Sequence, residues 1–243
     1  MSRFYVDLPI TLDTSLELPD NVVRHMNVLR LHIGDSVVLF NGDGCDYTAN
    51  ISELSKRHAK VNIEKSEKLD NESHLKITLM PSLIASDKFD LIVQKAVELG
   101  VNEIVPVISQ YTQRLSNDKI NSRMEHWRKI IIAACEQSAR ATIPHLSEPT
   151  LFSDVLLAVS AERKYILSPH HERQQVLAES TISSAAVLIG PEGGFNLAEV
   201  ERAGEYGFTT LQLGPRILRA ETAAICAVSL LQSHFGDIGI IQN

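Results

Sequence analysis

The sequence predicts an α/β fold with a largely parallel sheet, preceded by a small β-barrel, and two observations carry that prediction. From about residue 75 onward, short apolar runs alternate with segments of helical periodicity, the pattern of strands joined by crossover helices. Before residue 70 the chain instead shows short alternating runs separated by turn-formers, the pattern of a small antiparallel barrel. The expected domains are therefore 1–70 and 75–243, with the polar stretch from Lys65 to His74 as the linker.

In the first domain the strand-like runs are Ser36 to Phe40, Tyr47 to Ile51 and Ala59 to Ile63. Asn41-Gly42-Asp43-Gly44 is a hairpin signal, because these residues adopt the left-handed conformations a tight turn needs. A short helix is expected over Asn21 to Leu31, with Val22, Val23, Met26 and Leu29 at helical spacing and Gly34 beyond its end. In the second domain Ile77 to Met80 reads as a strand. Ser86 then caps a helix striped by Phe89, Ile92, Val93, Ala96 and Leu99 and stopped by Gly100. Glu103 to Ile108 is a strand that Pro106 confines to an edge or a bulge. A long helix follows, with Ile120, Met124, Trp127, Ile131 and Ala134 in register. Then come a strand at Tyr165 to Leu167, a helix near Gln174 to Glu179 and a strand at Ala185 to Ile189. Asn196-x-x-Glu199 opens a helix as a capping box, Thr209 to Leu213 is the last strand, and a helix from about Glu221 to Phe235 closes the pattern.

Composition sets limits. Hydrophobic residues make up 44% of the 243 and charged residues 22%, ordinary for a chain that buries a core. No apolar run approaches bilayer-spanning length, and Met1 to Asp7 lacks the apolar stretch of a secretory signal, so a cytoplasmic protein with no membrane partner is expected. Cys45, Cys135 and Cys226 are scattered, without metal-ligand spacing, and no metal is expected. A net charge of −7 weighs against a nucleic-acid partner only in part, since a local basic patch can sit on an acidic body.

Three consecutive strands end in the same punctuation: Leu167-Ser168-Pro169, Ile189-Gly190-Pro191 and Leu213-Gly214-Pro215. A small residue before proline makes a rigid turn and strips away side chains, so a ligand can approach bare main chain. One such break merely turns the chain; three at successive strand ends point to a binding rim, because ligands in open α/β sheets sit beyond the carboxyl ends of the strands. A P-loop and the Gly-x-Gly-x-x-Gly fingerprint are absent, and His170-His171 cannot share a helical face. The densest polar stretch is Arg216-Ile217-Leu218-Arg219-Ala220-Glu221-Thr222. Glu221 suits a helix first turn by dipole chemistry alone, whereas arginines just ahead of a helix amino terminus are better tolerated with an anion present.

Leu188 to Gly194 and Leu213 to Ala223 resemble the two signature loops of the SPOUT methyltransferases. The closer resemblance is to the RsmE family, which methylates N3 of a uridine in bacterial small-subunit (16S) ribosomal RNA. Val28-Leu29-Arg30-Leu31, Gln94 to Val101 and Ala134 to Arg140 also match, and the similarity runs end to end. Where the family often has Ser-Glu-Arg-Ser, this chain reads Ser109-Gln110-Tyr111-Thr112-Gln113-Arg114, and no role is carried to that stretch.

The resemblance implies a trefoil-knotted parallel sheet with helices on both faces, holding S-adenosylmethionine, behind a PUA-like RNA-binding barrel. It also implies a homodimer acting on ribosomal RNA, in the small subunit or its assembly particle. Leu167, Ile189, Gly190, Pro191, Gly194, Leu213, Gly214, Ile217, Leu218 and Thr222 would line the cofactor pocket, chiefly through main chain. Arg219 would stabilise the uracil oxygens as charge develops, with Glu221 as its orienter or as the base. The cations available to RNA are Arg3, Arg24 and Arg30 in the barrel, with Lys88, Lys95, Arg140 and Arg216 in the larger domain. Arg140, four residues after Glu136, has a plainer reading as an intrahelical ion pair worth ~0.3–0.5 kcal/mol. The competing readings are a 2′-O-ribose methyltransferase of the same superfamily and a non-catalytic RNA-binding factor on the same fold.

Overall fold

The computed structural model describes residues 1–112, 116–168 and 181–239. They form two compact units, Met1–Glu72 with Ile132–Ile143, and Ser73–Ile131 with Pro144–Asn243.

The first unit contains β1 (Ser2–Tyr5), β2 (Ser15–Glu17), α1 (Asp20–Val28), β3 (Ser36–Phe40), β4 (Cys45–Leu54) and β5 (Ala59–Lys68). The sheet runs β1-β3-β4-β5-β2, with β1 parallel to β3 and every other pairing antiparallel. Alternation along β4 and β5 turns Tyr47, Ala49, Ile51, Ala59, Val61 and Ile63 inward, where they meet Val22, Val23 and Met26 from α1. Each such aliphatic side chain contributes about 1.5–3 kcal/mol by leaving water. The hairpin expected at Asn41–Gly44 joins β3 to β4, and Asp43 fixes it by accepting from the Cys45 amide (2.8 Å) and the Tyr47 hydroxyl (2.7 Å).

The linker expected from Lys65 does not begin there. Lys65 to Lys68 continue β5, paired with Thr48 to Cys45 after a bulge. Their side chains are exposed on both faces, so the apolar alternation that betrays a strand in sequence is missing.

The second unit contains β6 (Lys76–Pro81), α2 (Ser86–Glu98), β7 (Glu103–Ile104), β8 (Val107–Ile108), α3 (Asn117–Ser138), β9 (His145–Leu146), β10 (Thr150–Leu151), α4 (Phe152–Ala158), β11 (Arg163–Leu167), β12 (Ser184–Ile189), α5 (Leu197–Glu205), β13 (Phe208–Leu211) and α6 (Ala220–Phe235). The last residues of α3, from Ile132, cluster with the first unit. Its main sheet runs β13-β11-β12-β6-β7-β9 and is parallel throughout. β12 lies in its interior, and Ala185 to Ile189 are all buried, as expected of a strand covered on both faces. Pro106 divides the expected strand Glu103–Ile108 in two: β7 stays in the main sheet while β8 pairs with β10. Proline has no amide to continue the ladder.

Ser86 is the first residue of α2 rather than its cap; Ala85 holds the cap position without a side-chain hydrogen bond. The Asn196 capping box forms as expected. The helix expected near Gln174–Glu179 lies outside the described residues. On α6, the fully buried Gln232 accepts from Ser73 Oγ (2.8 Å) and donates to the Leu99 carbonyl (3.0 Å), so its burial leaves neither end of the amide unpaired. No helix among the described residues is long and apolar enough to cross a membrane.

Candidate active site

The order β13-β11-β12 puts the carboxyl ends of these three parallel strands side by side, and of the first break only Leu167 and Ser168 fall among the described residues. A cavity of about 770 Å³ opens there, of a size that holds a small-molecule ligand. Its walls include Leu167, Ile189, Gly190, Pro191, Gly194, Leu213, Gly214, Ile217, Leu218 and Arg219. Every expected cofactor contact except Thr222 is therefore at one cavity.

Thr222 is exposed and does not line the cavity. Ala220 and Ala223 do, and residues three apart share one face of a helix. Thr222 falls between them, turned away. Ser168, Glu192, Phe195, Leu211, Gln212, Ala220 and Ala223 line the cavity and were not expected. Their signal lay in adjacency to the breaks, since a loop that bends around a ligand presents its flanking residues too.

Two glycines shape the walls. A Cβ on Gly190 would come within 3.1 Å of the Gly194 main chain and of the Phe195 amide nitrogen, so the loop after β12 closes this tightly without displacement because glycine stands there. The Gly194 amide completes that turn by donating to the Pro191 carbonyl (2.8 Å). Gly214 sits at φ +81°, a conformation other residues adopt only with strain, and leaves open space where a Cβ would project. Phe195 anchors the loop in the core, its ring centroid 5.4 Å from that of Phe152.

The rim is basic in an acidic chain. Arg216 and Arg219 are exposed, line the cavity, and have no hydrogen-bond or ion-pair partner among the described residues. Arg219 occupies the position before α6, whose first turn has no side-chain cap and so presents the positive end of the helix dipole beside the cavity. Lys88 also lines the cavity, 3.3 Å from Glu192. Burial pushes the Glu192 carboxyl up, but hydrogen bonds from its own amide and from Lys88, together with the Lys88 charge, outweigh burial and hold it below the usual range. Glu221 does not line the cavity and makes no ion pair with Arg219. Its Oε2 is buried without a hydrogen-bond partner among the described residues, an arrangement that favours a donor from a ligand or a second chain.

The expected RNA cations divide sharply. Arg24 and Arg30 are exposed, Arg30 at φ +55° just after α1. Arg3 and Arg140 are not available as placed, which corrects two expectations. Arg3 donates to both oxygens of Asp46 (2.8 and 3.2 Å) and lies over the Phe40 ring, its side chain only 10% exposed. Arg140 is 4% exposed and makes a two-point pair with Glu72 (2.6 and 2.8 Å). Glu136, the intrahelical partner suggested by spacing, instead accepts from the Tyr5 amide (3.0 Å). Lys95 is held by both oxygens of Glu98 at 2.9 Å.

Comparison with known proteins agrees with this geometry. A family model described as an RNA methyltransferase domain matches residues 71–232, and one described as an RNA methyltransferase PUA domain matches residues 18–64. The chain is 32% identical to the ribosomal RNA small subunit methyltransferase E of Buchnera aphidicola subsp. Schizaphis graminum over 97% of each chain. It is 33% identical to the enzyme of the same name from Rickettsia conorii over 98% of each. Among solved structures, the Neisseria gonorrhoeae ribosomal RNA small subunit methyltransferase E bound to S-adenosylmethionine superposes with a TM-score of 0.92 at 36% identity, covering 98% of this chain and 100% of that one. A Legionella pneumophila chain in complex with S-adenosylmethionine gives a TM-score of 0.93 at 36% identity, covering 97% and 98%.

Proposed function

Because the chain belongs to the ribosomal RNA small subunit methyltransferase E family, we propose that it methylates N3 of a uridine in small-subunit ribosomal RNA, using S-adenosylmethionine. The observation that carries this reading is the cavity at the carboxyl ends of β11, β12 and β13, walled largely by main chain and edged by Arg216 and Arg219. The residues present fit the cofactor: Gly194 and Gly214 leave open space at the cavity wall where other residues would project a Cβ, and the uncapped first turn of α6 suits a carboxylate. Leu167, Ile189, Gly190, Leu213, Gly214 and Leu218 would hold it. Bound there, S-adenosylmethionine supplies a methyl group on a sulfonium, open to in-line attack.

The protein's own part is placement and charge. Fixing the uracil nitrogen in line with the methyl makes an improbable encounter routine. N3 carries a proton at neutral pH, so negative charge grows on the uracil oxygens as it leaves. Arg219, which no carboxylate among the described residues neutralises, stabilises that charge. Glu221 is the base or hydrogen-bonds a group that a second chain brings. Arg24, Arg30 and Arg216 contact phosphate. The functional unit is a homodimer, for which Ile217 and Leu230, 86% and 47% exposed, supply apolar surface, and the loops after β12 and β13 form the knot of the family. It works in the cytoplasm, on the small subunit or its assembly particle.

Mass mapping tests the reading. RNA taken from small subunits and their assembly particles of a strain lacking the gene, after these have been incubated with the protein and S-adenosylmethionine, gains one methyl on the base of a single uridine. A methyl on the ribose, or none, contradicts the proposal.

A further inference from the structure

Ser109 to Thr112 form a turn that is pinned at both ends. The Thr112 amide donates to the Ser109 carbonyl (3.1 Å), the Ser109 amide donates to Thr112 Oγ1 (3.1 Å), and the two hydroxyls lie 2.9 Å apart. Both end residues are buried, which leaves Gln110 and Tyr111 at the tip. The tip is tied to the loop that walls the cavity. The Gln110 amide donates to Glu199 Oε1 (2.9 Å), the carboxylate that also closes the α5 capping box, and Asn196 Nδ2 donates to Gln110 Oε1. Tyr111 lies against Gly193 of the cavity wall: a Cβ there would stand 3.5 Å from Tyr111 Cδ2.

Tyr111 is nevertheless 57% exposed, and its hydroxyl has no hydrogen-bond partner among the described residues. A large aromatic side chain has been spent on a place where it buries little and bonds to nothing. What the turn does achieve is to hold the Tyr111 main chain beside the cavity wall, with the ring against Gly193 and largely open to solvent. Every nucleobase has a flat apolar face that can stack on such a ring, and an aromatic side chain has few torsions to restrict on doing so. Arg216 and Arg219 line the same cavity as Gly193, against which the ring lies, and supply the charge that a phosphate or an oxygen of the same nucleotide needs.

We propose that Tyr111 is a stacking platform for a base of the RNA substrate, seating the target uridine or its neighbour at the mouth of the cavity. The inference rests on the function proposed above and adds a substrate-positioning residue to it. Cofactor binding does not use the ring, which lies outside the cavity wall.

The test compares Tyr111→Ala, Tyr111→Leu and Tyr111→Phe on small subunits and their assembly particles from the strain lacking the gene, with calorimetric S-adenosylmethionine affinity and melting temperature measured alongside. Tyr111→Ala is expected to lower kcat/KM for RNA by roughly 10- to 100-fold, the usual weight of one stacked base. Tyr111→Phe, which keeps the ring, stays near wild type, whereas Tyr111→Leu, which keeps bulk without a π face, falls with alanine. All three keep cofactor affinity and melting temperature. If Tyr111→Leu restores activity, or if Tyr111→Ala loses cofactor affinity instead, the residue merely packs on Gly193 and the inference is wrong. A wild-type protein that transfers no methyl group would overturn the proposed function itself, whereas an active one indifferent to Tyr111→Ala overturns only the stacking role.

Discussion

Two arginines of the first unit and two at the cavity of the second are held in opposite ways. In the first unit Arg3 and Arg140 are closed on Asp46 and Glu72 with two hydrogen bonds each and are nearly buried. At the cavity of the second, Arg216 and Arg219 stand exposed with no partner among the described residues. In a chain of net charge −7 there is no shortage of carboxylates, so an arginine left open beside a cavity marks a place where the charge is kept for a ligand. The paired ones hold the fold. The difference teaches that arginine content said little about function until the partners were known.

The largest effect that could break this comparison is at the cavity wall. Gly190→Val puts a branched side chain where even a Cβ lies 3.1 Å from main chain, so the Gly190–Gly194 turn must shift to admit it. S-adenosylmethionine affinity is expected to fall by more than about 100-fold, a loss near 3 kcal/mol. The first unit, with its own core, keeps its far-ultraviolet signature. Calorimetry with circular dichroism checks both, and unchanged affinity would remove the cavity assignment.

Arg140→Met comes next. It removes one partner of a nearly buried pair and leaves Glu72 less well satisfied, at a cost of about 1.5–3 kcal/mol, the range for hydrogen bonds to charged groups. A fall in melting temperature of roughly 2–10 °C follows for a chain of this size. Methyl transfer by the protein that remains folded should not change. A normal melting temperature with lost turnover would put Arg140 back among the RNA contacts.

How much of this was legible in the sequence depended on distance along the chain. The strand-end breaks could be read because Ser168-Pro169, Gly190-Pro191 and Gly214-Pro215 are local signals that act on main chain. The Asn196 capping box was legible for the same reason. Arg140 was misread because its partner, Glu72, is 68 residues away, whereas Glu136, four away, was visible and is used elsewhere. The Tyr111 turn owes its position to Glu199 and Asn196, some 86 to 89 residues on, so nothing near Tyr111 announced it. The tail of β5 was hidden because a strand polar on both faces carries no period-two hydrophobic pattern.

The smallest effect is on pH dependence, and it belongs to the first unit. Burial pushes the Cys135 thiol up from its ordinary value of 9.0 to about 12, against the pull of the Arg140 charge. The folded state holds that proton more tightly than the unfolded chain, so stability from this group is complete below pH ~9 and declines as pH rises towards ~12. The slope is on the order of 1 kcal/mol per pH unit. Cys135→Ala should flatten the decline of melting temperature between pH 9 and 10. An equally steep decline in the variant would assign it to another group.

Single-turnover methyl transfer by Arg219→Ala, with S-adenosylmethionine affinity measured on the same sample, tests the central claim most directly. If the open arginine at the rim serves developing charge on the substrate, the rate should fall by about 10²–10³-fold, the usual cost of losing one donor to a transition-state oxyanion. Cofactor affinity and melting temperature should stay within error of the wild type, because Arg219 has no partner among the described residues to lose. A rate near wild type, or a rate lost only together with cofactor affinity, would contradict the account.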